Sequence, residues 1–84
     1  MSMNDLMSTV DLMGSGDYKD RFKAEYYQTK IRYDKLHMMI VKYDAGVLDF
    51  EPTCPITVLK DQAKYMGMYL YQLEVRAQME GIEL

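Results

Sequence analysis

Residues 17–46, DYKDRFKAEYYQTKIRYDKLHMMIVKYDAG, decide the fold. Phe22, Tyr26, Thr29, Tyr33, Leu36, Ile40 and Tyr43 recur at steps of 4, 3, 4, 3, 4 and 3. That spacing is an a/d seam held for three heptads, the pattern of a helix that buries one stripe against another helix. Asp17 is placed to cap the N-terminus, and Asp20 sets a second carboxylate in the first turn, where the helix dipole favours negative charge. Neither proline nor glycine interrupts the run until Gly46, a suitable C-terminal cap residue. The spacing predicts a helix over about residues 18–45, roughly 42 Å long at 1.5 Å per residue.

On the C-terminal side, residues 46–54 read as a connection. Pro52 forbids a helix through this point, and Leu48 and Phe50 are expected to tuck over the end of the bundle. Pro55 suits a first helical position, with Thr53 or Cys54 as the cap. Leu59, Ala63, Met66, Leu70, Leu73, Ala77 and Glu80 then repeat the heptad spacing, and Gly81 ends it. A second helix over about 55–80 follows, and the short link makes an antiparallel pair. Ala63, Gly67 and Ala77 are expected to face the large tyrosines of the first helix. On the N-terminal side, residues 1–16 form a separate unit within the single domain that 84 residues suggest. Met3, Leu6, Met7, Val10 and Met13 share one face of a short amphipathic helix, and Gly14-Ser15-Gly16 reads as a flexible link to residues 17–84. Ten helical residues are not stable alone in water, so this segment must dock or fray.

A second stripe bears on assembly. Met68, Tyr71, Val75 and Met79 lie off the seam of the second helix, as Tyr27, Ile31, Met38 and Val41 do on the first. A pair of helices has only one inside, and a surplus apolar face marks an interface. A chain this small also needs staples or partners. Cys54 is the only cysteine, so no disulfide can form within the chain. The fold class expected is therefore all-α: an antiparallel two-helix hairpin with a short N-terminal amphipathic helix, assembled into a homo-oligomeric helical bundle.

Composition narrows the function. The net charge of −3 argues against a general double-stranded nucleic-acid binder. No apolar run approaches the ~20 residues of a membrane span, and no signal-peptide pattern opens the sequence. The single thiol fits a reducing cytoplasm. Catalysis has little to draw on. His37 has no second histidine to work with, Cys54 at a helix start has no evident base, and Asp49 with Glu51 reads as solvated charge. No metal-ligand spacing and no phosphate-cradling glycine loop occur, so neither a metal nor a cofactor is expected. The charge distribution says more. Seven of the ten cationic side chains lie on the first helix. Lys23, Tyr27 and Lys30 occupy i, i+4 and i+7 and line one face, with Tyr26, Lys30 and Tyr33 overlapping it. A base can stack on such a tyrosine while ammonium groups hold its phosphate. Lys23, Tyr26, Tyr27, Lys30 and Arg32 are the candidate ligand-binding residues; a solvated flank beside a core seam would use the same residue types.

The 17–46 segment, followed by LDFEPTCPITVLKDQAKYMGMYLYQLEVRAQMEGIEL at 48–84, resembles a family of small helical proteins encoded by crAss-like phages and by prophages of gut bacteria. More distantly, the long first helix, proline-marked link and small-residue second helix resemble the helical-hairpin sponge proteins with which phages disarm CBASS and Thoeris immunity. The resemblance implies a non-catalytic oligomer in the cytoplasm of an infected bacterium. It would sequester a nucleotide second messenger, of cyclic oligonucleotide or cyclic ADP-ribose type, without cleaving it. The other class implied is a phage protein-interaction module that inhibits a host protein or aids assembly.

Overall fold

The computed structural model describes residues 6–84, and these are helical throughout apart from their links. A 3₁₀ turn, Leu6–Thr9, runs into a single α-turn, α1 (Val10–Met13). Two long helices follow, α2 (Tyr18–Asp44) and α3 (Ile56–Glu80). The molecule measures 43 × 24 × 18 Å, its long axis set by α2, which spans about 40 Å at 27 residues.

Local chemistry accounts for each end. The Asp17 carboxylate accepts the Lys19 backbone N–H at 2.9 Å, taking up one of the unpaired amides of the first turn. At the other end of α2, Val47 N–H donates to the Lys42 carbonyl and Gly46 N–H to the Tyr43 carbonyl, both at 3.0 Å. This Schellman pair needs a left-handed residue, and Gly46 supplies it at φ 76°. Gly81 does the same for α3 at φ 69°, and the turn carries Ile82 back onto the core, with its N–H on the Ala77 carbonyl at 2.8 Å. The start of α3 lies one residue later than the proline suggested. Pro55 has an extended ψ of 140° and stands outside the helix as its N-cap, its carbonyl accepting from Val58 and Leu59.

α2 and α3 touch along paired positions. Asp44 meets Lys60 at 3.0 Å, Tyr33 lies on Gly67, the Tyr26 hydroxyl donates to Glu74 at 2.7 Å, and Arg76 donates to the Tyr18 hydroxyl at 2.6 Å. Each step back along α2 is met by a step forward along α3, so the helices run in opposite directions. Phe22, Tyr26, Leu70, Leu73, Ala77 and Ile82 form the buried cluster, with Tyr27 and Tyr33 packed against it. All but Tyr27 and Ile82 come from the two heptad seams. Burial is graded along the rod. From Arg32 to Tyr69 no side chain is fully buried: Leu36, Ile40, Leu59 and Met66 are half-covered, and Tyr43 is exposed. Phe50 is exposed as well, so only Leu48 of the expected pair folds partly under.

The N-terminal segment departs from its amphipathic reading. Met3 lies outside the described residues. Met7, Val10 and Met13 are exposed, while Thr9 is fully buried and Leu6 and Leu12 are half-buried. The docked face is therefore Leu6, Thr9 and Leu12. The Thr9 hydroxyl donates to the Leu6 carbonyl at 2.7 Å, and the Gln28 amide reaches both Thr9 and the Met13 sulfur. A satisfied threonine can be buried, and polarity alone misassigned it. Gln28 lies between Ala24 and Ile31 on one helical face, so the segment covers Ala24 and Ile31, both buried. Ile31 thus leaves the surplus stripe. The glycine-serine link is held too: Ser15 Oγ donates to Asp20 and accepts from the Asp17 N–H, and Arg21 donates to the Ser15 carbonyl.

Gly67 has a definite reason. A Cβ built there would meet the Tyr33 ring at 3.4 Å. That is ordinary contact, so a methyl fits and a longer chain does not. Gly67→Ala is expected to stabilise the fold by up to ~1 kcal/mol through helix propensity. Gly67→Leu is expected to destabilise it by ~1–3 kcal/mol through overpacking. Urea unfolding of both variants checks the opposite signs.

Candidate functional site

Lys23, Tyr27 and Lys30 share one flank of α2, with the two lysines about 10 Å apart along the axis at 1.5 Å per residue. Lys23 is half-buried and forms no ion pair with a described residue. Lys30 pairs with Asp34 at 3.0 Å, and both side chains are well exposed. An exposed i,i+4 pair is worth only ~0.3–0.5 kcal/mol, so Asp34 yields the ammonium readily to a stronger anion. Lys30 also sits 5.7 Å from the centre of the Tyr33 ring, within cation–π range.

The aromatic side chains sort into supports and surfaces. Tyr26 is 8% exposed and belongs to the core. Burial, then its hydrogen bond to Glu74, hold the phenol well above the ordinary tyrosine range. It is not available to stack on a ligand in this chain. Its part is to carry Tyr27, which packs edge-on against it with ring centres 5.2 Å apart. Tyr27 is half-exposed, as is Tyr33, whose ring stacks with the exposed His37 at 5.8 Å and 11°. Tyr33 and His37 therefore extend the lysine–tyrosine flank. Tyr33 was legible mainly as a seam position and His37 as a solitary histidine; their i,i+4 spacing was the available sign that they meet.

Arg32 does not join this group. Two residues after Lys30 is a turn of about 200°, so it projects from a different flank. There it lines a groove with Met13, Arg21, Gln28 and Thr29. A groove of about 800 Å³ opens beside Tyr26 and is lined by Glu74, Gln78, Gly81 and Glu83. Its two carboxylates make it a poor seat for a phosphate. Lys23, Tyr27 and Lys30 therefore form an open cationic-aromatic flank rather than the wall of this groove.

Tyr26 gives a pH test. Its phenol is held neutral in the fold and ionises near pH 10 once unfolded. The unfolded chain then binds fewer protons, so stability falls as pH rises above about 10 and is unaffected below it. Tyr26→Phe is expected to lose part of that decline while costing ~1 kcal/mol at pH 7 through the lost hydrogen bond. Thermal melts between pH 7 and 11 measure both effects.

Among the described residues no helix is long and apolar enough to cross a membrane, and no three His, Cys, Asp or Glu side chains gather as a metal site. Residues 16–79 match the family model described as Sequestin, a span that takes in all of α2 and nearly all of α3. No curated protein and no solved structure matches the chain.

Proposed function

The chain belongs to the Sequestin family, and from that premise we propose that it is a phage-encoded anti-defence sponge. Its cargo is a nucleotide immune second messenger, of cyclic oligonucleotide or cyclic ADP-ribose type, held without being cleaved. The family's name, Sequestin, suggests sequestering, and that match carries the reading. The α2 flank supports it physically. Lys23 and Lys30 offer two cationic points for phosphates, and Tyr27 offers a ring face for a base. Binding alone removes a messenger from its effector, so the reading calls for no catalytic group. The hairpin acts as a homo-oligomer in the cytoplasm of the infected host, with neighbouring copies closing over the open flank.

A second reading rests on a separate observation. Met68, Tyr71 and Met79 remain exposed on α3, a surface suited to inhibiting a host protein or to an assembly role. Calorimetry of the purified protein against cyclic oligonucleotides and cyclic ADP-ribose isomers tests the two. Stoichiometric binding, with intact ligand recovered after denaturation, supports the sponge. No binding to any member of the panel overturns it, and conversion of the ligand overturns the non-catalytic part.

A further inference from the structure

A second heptad seam runs along α3. Val58, Gln62, Tyr65 and Tyr69 fall at steps of 4, 3 and 4, one position ahead of the first seam at Leu59, Ala63, Met66 and Leu70. They line a shallow groove of about 520 Å³ with Asp61 at its border, and Val58, Tyr65 and Tyr69 are 52%, 63% and 44% exposed. This stripe lies in the stretch from Arg32 to Tyr69, where no side chain is fully buried. Helices of this length with so little cover on one half need something laid against them. The N-terminal segment from Leu6 onward is already docked on α2, so it is not the cover.

We infer that a second copy of the chain covers this groove, with α3 lying antiparallel against the partner's α3 about a two-fold axis near residues 63–64. This goes beyond the sponge reading, resting only on its homo-oligomer, and it names the surface that makes it. Two observations select a second copy. Heptad spacing is complementary to another helix of the same spacing. The four stripe residues are uncharged, with the Asp61 carboxylate lining the groove and the Lys64 ammonium 6.0 Å from the Tyr65 ring, and in this register Val58 falls opposite Tyr69 and Gln62 opposite Tyr65, in the self-complementary manner of a two-fold interface.

Light scattering on the full chain should give an even number of copies. Tyr65→Glu and Tyr69→Glu, each at an exposed position, should keep native helix content by circular dichroism. Each should weaken the α3–α3 association on the order of 100-fold or more by placing an unpaired carboxylate in an apolar contact. Met79→Glu, on the other stripe, should leave the mass unchanged. A second measurement does not depend on those variants folding. On a Cys54→Ser background, chains carrying Gln62→Cys and chains carrying Tyr65→Cys should form a disulfide-linked pair when mixed and mildly oxidised. A native oligomer whose mass ignores Tyr65→Glu, or the absence of that cross-link, overturns this interface and leaves the sponge's oligomer standing. A native monomer overturns both.

Discussion

Under the proposed sponge function, Lys30→Ala and Tyr27→Ala are each expected to lose ligand while the oligomer keeps its mass and helix content. The expectation follows from what the two side chains do in the unliganded fold. Among the described residues, Lys30 is held by an exposed pair with Asp34 and by the Tyr33 ring. Removing it costs the fold no more than a few tenths of a kcal/mol. A phosphate held by an ammonium group is worth ~1.5–3 kcal/mol, so affinity should fall about 10- to 150-fold. Tyr27 gives a stacking loss of similar size, ~1–3 kcal/mol per base. Because Tyr27 also leans on Tyr26, Tyr27→Phe is the needed companion. It keeps the ring and should keep most of the affinity. Calorimetry with the wild-type ligand, alongside light scattering, reads both consequences. Should both alanine variants bind as the wild type does, the site lies elsewhere on the molecule. If they dissociate or unfold instead, this flank is structural.

Leu73→Ala is expected to produce a large loss of stability. Leu73 is 1% exposed and sits in the cluster with Phe22, Tyr26, Leu70, Ala77 and Ile82. Truncating a buried leucine costs ~2–5 kcal/mol, part from lost transfer energy and part from the cavity left behind. A chain of 84 residues has roughly 4–13 kcal/mol in total at typical per-residue values. One substitution should therefore remove a large fraction of the stability and lower the melting temperature by about 10–30 °C. Met79→Ala, at 81% exposed, should change it by less than ~0.5 kcal/mol. Equal effects from the two variants would show that the core is not where the buried cluster places it. Both melts should be run at one protein concentration, because association adds to apparent stability.

The part of the candidate site that could be read in advance was its spacing. Lys23, Tyr27 and Lys30 share a flank because 4 and 7 residues are close to whole turns of a helix. Arg32 is close to them in sequence and carries the same charge, but helical rotation turns it to another flank. Tyr26 stands on the seam with Phe22 and Tyr33, and the partner helix takes it into the core. His37 has no second histidine to work with, and its i,i+4 spacing to Tyr33 is the sign that their rings meet. In the N-terminal segment, apolar spacing predicts an inner face that includes Met7, Val10 and Met13, but these are exposed and Thr9, hydrogen-bonded to Leu6 and Gln28, is the residue that packs.

Helix starts and stops follow from chemistry within a few residues of each end. Asp17 accepts an amide, Gly46 and Gly81 adopt left-handed backbone, and Pro52 and Pro55 bar the helix from the link, each without reference to distant residues. The heptad steps of α2 and α3 likewise require only the pitch of a helix. Which stripe is covered, and how deeply, is a different kind of question. α3 carries two seams one residue apart, and both satisfy the same periodicity. The approach of α2 selects Leu70, Leu73 and Ala77 and leaves Val58, Tyr65 and Tyr69 in the open. Burial depends on the sum of contacts from separate elements, so spacing along one helix cannot supply it.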